Sequence, residues 1–410
     1  MFIHIKEACA FLEGRRHKTT LARFKEILDE IGLPYQRLKM IHVAGTNGKG
    51  STVNDLACIL MVAGYHVGTF TSPYILSHND RICIDRQPIA DDVFLDLINT
   101  WQPTIEKYGL SMFESDILLM FAYFLSQPLD YVIIEAGIGG LNDKTNLITP
   151  IASVITNIGH DHLASLGPTL EDVARQKGGI IKEGVPVFCG RMPEALMAVL
   201  DEMAHQKKTV IHYSDPPEVT QYPIGFHYRG LDIRLGDVGM YQVANASLAI
   251  DVVLGLWSHA LDAAIISGLR TAHWPGRFEH FTYQGQDLFL DGAHNREAMT
   301  ALIQTVKQRV GERPVEVIYA ALRDKDYVRM AKMLQEAGFT VRVCHFDDER
   351  ALRATDLSRL SGVAYLDCVE TGLKQWKQDP KTVLLVTGSL HFISYVRHLF
   401  DKDTQIKVSS

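Results

Sequence analysis

Short runs of β-branched and aliphatic residues recur along the chain, each ending on a polar side chain or a small residue, and alternate with stretches of helical spacing. Ile41-His42-Val43 leads into Ala44-Gly45, Tyr131 to Ile134 into Glu135, and Ala152 to Thr156 into Asn157. Later, Leu288 to Leu290 leads into Asp291, Val315 to Tyr319 into Ala320, and Val341 to Val343 into Cys344. Val383 to Val386 then leads into Thr387-Gly388-Ser389. Strands apolar on both faces must be covered on both faces, which predicts a mostly parallel sheet between helices, an α/β fold. Ligands of such sheets sit at the carboxyl ends of the strands. The polar residues that close the runs are therefore the candidates for function.

A chain of 410 residues exceeds one ordinary core, so two domains are expected. The alternation loosens after residue 187, passes through a β-rich stretch at 219–238 and a long helix opened by Tyr241 to Asn245, then starts afresh after Trp274-Pro275-Gly276-Arg277. This places the boundary near 272, giving domains 1–271 and 272–410, the second a smaller α/β unit.

Within the first domain, residues 41–51 (IHVAGTNGKGS) join a strand end to a glycine-rich turn and an apolar-periodic helix. Gly45, Gly48 and Gly50 allow a tight turn, with Thr46 and Asn47 between them. The backbone N–H groups and the helix dipole would face an anion. Lys49 would neutralise outer phosphates, and Ser51 would hold Mg²⁺. Two residues rather than the usual four separate the glycines, an unusual spacing for a P-loop.

Composition narrows the class. The chain is 47% hydrophobic and 22% charged with a formal net charge of -7, which offers no footprint for nucleic acid or an anionic membrane. Cys9, Cys58, Cys83, Cys189, Cys344 and Cys368 are scattered without a CxxC pair, which suits a reducing cytoplasm rather than a disulfide framework. The N-terminus lacks the pattern of a signal peptide, and no apolar run of about 18 residues predicts a membrane span.

Other strand ends carry chemistry. Glu135, followed by Gly137, Gly139 and Gly140, would complete a Mg²⁺ site near Ser51, or serve as a helix cap or salt-bridge partner. His160, Asp161 and His162 follow another strand and suggest a second metal or a phosphate contact, or a surface loop. Thr169 and Asp172 are spaced to cap a short helix carrying Lys177, which by its position alone is a solvated helix lysine. In the second domain Asp291 and His294 lie in DGAHN at a strand end, suited to ribose, phosphate or a substrate carboxylate. Arg277 is either a charge able to reach across an interdomain cleft or half of a hinge salt bridge.

Taken in order, GTNGKGS (45–51), TSPYILSHNDRICID (71–85), EAGIGGLNDKTN (135–146), NIGHDHLASLGPTLEDVARQKGGIIK (157–182), WPGRFE (274–279), DGAHN (291–295) and VTGSL (386–390) resemble folylpolyglutamate synthase, often bifunctional with dihydrofolate synthase, in the Mur ligase superfamily. The resemblance covers nearly the whole chain. It implies an ATP-dependent amide ligase whose Rossmann-like C-terminal domain closes over a P-loop ATPase domain; a cytoplasmic monomer is the expectation. Its substrates would be ATP, L-glutamate and either folate or dihydropteroate, joined through an acyl phosphate. Lys49 and the loop amides would hold the β- and γ-phosphates. Ser51 or Ser72, with Glu135, would hold one Mg²⁺, and His162 a second. Lys177 matches a lysine that is carbamylated in the family and helps to position that second metal. Asn245 and Arg277 match ATP contacts, and Asp291 and His294 lie in a motif near nucleotide and substrate. Leu141 stands where the family usually has Arg after the double glycine, and a leucine offers no charge or donor fork to an anion. A superfamily ATPase, or a paralogue using another carboxylate acceptor, is the alternative.

Overall fold

The computed structural model describes residues 1–236, 238–377, 381–402 and 406–408. It has two compact units, Met1–Pro216 with Ala244–Ala272, and Pro217–Val243 with His273–Ser410. A single boundary near 272 differs from this division at 217–243. That segment is tied to the second unit by its own side chains and backbone: the Tyr241 hydroxyl donates to Asp291, Met240 N–H donates to Thr305, and Arg309 lies over the Tyr222 ring. It also carries a hairpin, Gly225–Tyr228 with Leu231–Arg234, that forms a sheet of its own.

The first unit is built on an eight-stranded sheet. Its strands are β1 (Met40–Ala44), β2 (Val67–Phe70), β3 (Ile82–Ile84), β4 (Gln87–Pro88), β5 (Tyr131–Glu135), β6 (Ala152–Ile155), β7 (Val187–Gly190) and β8 (Ile211–Ser214). The order is β4-β3-β2-β5-β1-β6-β7-β8, parallel from β2 to β8 and antiparallel at β3 and β4. Val43 pairs with Glu135 and Ala44 with Ile155, so β1, β5 and β6 end side by side. The polar residues that follow them share one rim as a result.

Both faces of this sheet are covered. Helices Leu21–Ile31 and Met112–Leu125 contribute Phe24, Leu28, Phe121 and Phe124 to one core, while Ala174, Ile180, Leu196 and Leu200 fill another. The first helix begins with the Thr20 side chain accepting from Arg23 N–H and ends at Gly32 in the left-handed region, φ 77°. The capping box expected from Thr169 and Asp172 opens helix Leu170–Gly178. Helix Lys49–Val62 is buried from Ser51 to Leu60, because helix Asp262–Thr271 packs closely on it: a Cβ on Gly268 would lie 2.8 Å from Ile59 Cα. Residues 242–271 are apolar and long enough to pass as a membrane span, but a 3₁₀ turn at Ser258–Leu261 divides them into two helices.

The second unit contains a seven-stranded sheet of β11 (Glu279–Tyr283), β12 (Gln286–Asp291), β13 (Val315–Tyr319), β14 (Thr340–Cys344), β15 (Ala364–Leu366), β16 (Val383–Thr387) and β17 (Ile406–Val408), counting the hairpin strands as β9 and β10. Its order is β15-β14-β13-β16-β12-β11-β17, antiparallel only around β11. Separate cores on its two faces hold Phe289, Met299 and Met330, and Leu290, Trp376 and Phe392. Asp291 and Tyr319 both pair with Thr387, which again brings polar strand ends level.

Candidate active site

The cradle at 45–48 is shaped by residues far away in sequence. Gly45 (φ 151°) lies so close to the end of β6 that a Cβ there would be 1.8 Å from Thr156 Oγ1. Gly48 (φ 83°) caps helix Lys49–Val62, and its missing Cβ would fall 2.2 Å from Asn245 Oδ1. Only glycine meets both demands. Thr46 N–H donates to the Asn157 carbonyl at 3.0 Å and Asn47 N–H to the Asn157 side chain at 2.9 Å. The Thr156 hydroxyl donates to the Asn47 carbonyl at 2.6 Å. With the loop so braced, the first-turn amides from Lys49 through Gly50 to Ser51 form a helix N-terminus suited to an anion. Sequence alone does not single out Thr156, since a threonine closing a strand carries no distinguishing signal.

Lys49 and Glu135 meet beside the cradle. Lys49 Nζ is 3.7 Å from Glu135 Oε1 and donates to the Thr46 carbonyl at 3.3 Å. Glu135 Oε2 accepts from Ser72 N–H at 3.2 Å. Ser51 and Glu135 are buried. Two hydroxyls and a carboxylate next to a phosphate cradle are hard oxygen donors, and this set fits Mg²⁺, which binds through few protein carboxylates plus phosphates and water. Among the described residues no three His, Cys, Asp or Glu side chains form a ready metal cluster. His162 sits on the loop after β6 with φ 53°, its ring 3.7 Å from Asp161 and its side chain 41% exposed.

Lys177 is not a solvated helix lysine. It is buried, and its ammonium donates to the Gly45 carbonyl at 2.8 Å. Burial first, then the nearby Lys49 charge, lower its pKa from 10.5 to about 7, against opposing pulls from Asp161 and Asp143. The Gly139-Gly140 loop lies against the end of the same helix: a Cβ on Gly140 would be 2.8 Å from the Gln176 and Lys177 carbonyls, and Leu141 N–H donates to Gln176 at 2.6 Å. The Leu141 side chain is exposed. Asp143 secures the loop by accepting from Ile138 N–H and from Thr145 N–H and hydroxyl, and Thr145 is in turn hydrogen-bonded to buried His42.

Asn245 thus joins the first unit's site, whereas Arg277, Asp291 and His294 belong to the second. There Gly276 N–H donates to Glu279 at 3.0 Å, and Arg397 pairs with the same carboxylate at 3.2 Å. Arg277 Nη1 would be 2.9 Å from a Cβ on Gly292, so the glycine makes room for the guanidinium. His294 Nδ1 donates to the Gly292 carbonyl at 2.9 Å. Asp291 is buried with its oxygens turned to protein donors.

A braced glycine turn between a parallel strand and a helix N-terminus, with a lysine beside it, is the geometry of a nucleotide phosphate site. Two family models match the chain, the Mur ligase middle domain over residues 43–253 and the Mur ligase, glutamate ligase domain over residues 276–390. A dihydrofolate synthase/folylpolyglutamate synthase from Bacillus subtilis (strain 168) is 36% identical over 97% of this chain and 99% of its own length. The folylpolyglutamate synthase of Lacticaseibacillus casei is 34% identical over 92% and 93% of the respective chains. A folylpolyglutamate synthase solved as an AMPPCP–folate complex superposes with a TM-score of 0.85 at 30% identity, over 97% of this chain and 100% of that one. The chain belongs to the folylpolyglutamate synthase/dihydrofolate synthase family of Mur ligases.

Proposed function

We propose that this protein uses ATP to join the amine of L-glutamate to the γ-carboxyl of a folate, and that dihydropteroate is a second acceptor, giving dihydrofolate. The observation that carries the reading is the convergence of Lys49, Glu135 and Lys177 on one glycine cradle in a chain related over nearly its full length to folylpolyglutamate synthases.

A carboxylate is a poor electrophile, so the acceptor carboxyl first attacks the γ-phosphate of ATP. The acyl phosphate so formed is then opened by the glutamate amine, and phosphate leaves. Lys49 and the amides of the cradle hold the β- and γ-phosphates and stabilise charge on the phosphoryl group in flight. Asn245 in the first unit is read as a nucleotide contact, and in the second unit so are Arg277 and the Asp291–His294 motif. Ser51, Ser72 and Glu135 would hold Mg²⁺, and His162 a second ion, which supply charge neutralisation at the phosphates when bound. Lys177, partly neutral at physiological pH, is able to add CO₂ at Nζ with loss of a proton. Its carbamate would face the region that its ammonium now fills beside Gly45. Six free cysteines, four of them buried, suit a reducing cytoplasm.

The test is phosphate release from ATP and Mg²⁺ with L-glutamate and either tetrahydrofolate or dihydropteroate. Release that requires both acceptor and glutamate is expected. Release that needs neither would sink the ligase reading and leave an ATPase.

A further inference from the structure

In the second unit one carboxylate gathers three separate stretches of chain. Asp291 Oδ2 accepts from the Tyr241 hydroxyl at 2.5 Å and from Phe278 N–H at 2.9 Å, while Oδ1 accepts from Ala293 N–H at 2.9 Å. Three of the roughly four lone-pair positions of the carboxylate are thereby used within the protein. Phe278 directly follows Arg277 and holds a φ of 53°, an unfavourable conformation for a bulky residue. Its buried ring stacks on Phe289 at 4.5 Å and 11°, and its N–H is held by Asp291. This turn presses Arg277 against Gly292, whose N–H donates to the Gly276 carbonyl at 2.9 Å. His294 is bonded in turn to the Gly292 carbonyl. Arg277 and His294 therefore hang from a frame centred on Asp291 and propped from outside by Tyr241.

We propose that Tyr241 is a positioning residue for the ligase reaction, holding Asp291 and through it the turn that presents Arg277 to the nucleotide. This rests on the reading of Arg277 as a nucleotide contact. Tyr241 touches no reacting group. Its ring packs on the core that includes Phe289 and Met299, and its hydroxyl makes a short, charge-assisted bond to a buried carboxylate. Without that bond Oδ2 keeps a single donor, and the strained Phe278 turn loses part of what opposes its relaxation. A misplaced guanidinium weakens nucleotide binding before it affects the chemical step.

The experiment is steady-state kinetics with ATP varied at saturating acceptor and glutamate, on wild type, Tyr241→Phe, Arg277→Ala and the double variant. Tyr241→Phe is expected to raise KM for ATP about tenfold with kcat within about threefold of wild type. Arg277→Ala is expected to raise KM at least as much, and the double variant to be no worse than Arg277→Ala alone. Replacing Tyr241 by 4-aminophenylalanine, which keeps a donor at the same reach, should restore most of the affinity. A wild-type KM in Tyr241→Phe, or additive effects in the double variant, overturns the proposal and leaves the Arg277 reading standing if Arg277→Ala is impaired. An unimpaired Arg277→Ala overturns both. Should Tyr241→Phe fail to fold, Tyr241→His, whose ring stops short of Oδ2, must show the same KM defect, and a wild-type KM there overturns the proposal.

Discussion

Lys177 Nζ donates to the carbonyl of Gly45 at 2.8 Å, bonding a helix lysine to the first residue of the phosphate cradle 132 positions earlier. Burial of this nitrogen, and then the nearby charge of Lys49, lower its pKa from 10.5 to about 7. A buried ammonium next to another cation is readily converted to the neutral amine.

Lys177→Ala should lower turnover by at least about 100-fold, as expected for loss of a group acting at the developing charge, and a short added carboxylate should recover part of it. Since the neutral amine is the form that adds CO₂, bicarbonate-dependent reactivation of CO₂-depleted enzyme should strengthen as pH rises through about 7. The same shift carries a stability sign. Between about 7 and 10.5 the unfolded chain binds a proton at this lysine that the uncarbamylated native state lacks, so stability gains as pH rises across that window. A fully active Lys177→Ala would remove the carbamate role.

Lys49→Ala should cost about 100- to 1,000-fold in kcat, because the interaction lost is strongest as phosphoryl charge develops. Stopped-flow and steady-state measurements of phosphate release check this. A near-normal kcat would move the phosphate contacts elsewhere.

Gly48→Ala tests the shape of the cradle rather than its charge. The new methyl would sit 2.2 Å from Asn245 Oδ1, on a backbone with φ 83°. A left-handed conformation alone costs a non-glycine residue roughly 1–2 kcal/mol. A KM for ATP raised about tenfold is expected from displaced amides. Asn245→Ala in the same chain should return part of the lost folding stability, measured by urea denaturation, since it removes the clash but not the strain.

A buried ion pair away from the cradle predicts a second pH dependence. His78 Nε2 is 2.8 Å from Asp116 Oδ1, both side chains buried. Burial works against charge on His78, but Asp116 and Glu13 outweigh it and raise the pKa from 6.5 to about 9. The stabilisation is fully present below 6.5 and is lost as pH rises through about 9. Asp116 also faces the buried Arg81 guanidinium at 3.5 Å, so Asp116→Asn should cost about 3–5 kcal/mol at the lower pH and keep a smaller cost above the upper one, where only the His78 share is lost, by urea denaturation.

The apolar runs determined the strands, because a buried parallel sheet leaves no polar face to disguise them. Local chemistry also determined the stops and starts: Gly32 ends its helix, Thr169 and Asp172 open theirs, and the glycines of 45–48 announce a phosphate loop. What the periodicity of a segment reports is which of its faces is apolar. It says nothing of which distant segment will lie against that face.

For that reason only the tertiary structure decided that Lys177 is buried and bonded to Gly45, that Asn245 closes on Gly48, and that 217–243 is held by the second unit through Tyr241 and Asp291. Burial and proximity depend on how strands are ordered in a sheet, and that order is set by the packing of the whole chain. A lysine's chemistry follows from its neighbours, and the neighbours of Lys177 are more than a hundred residues away in sequence.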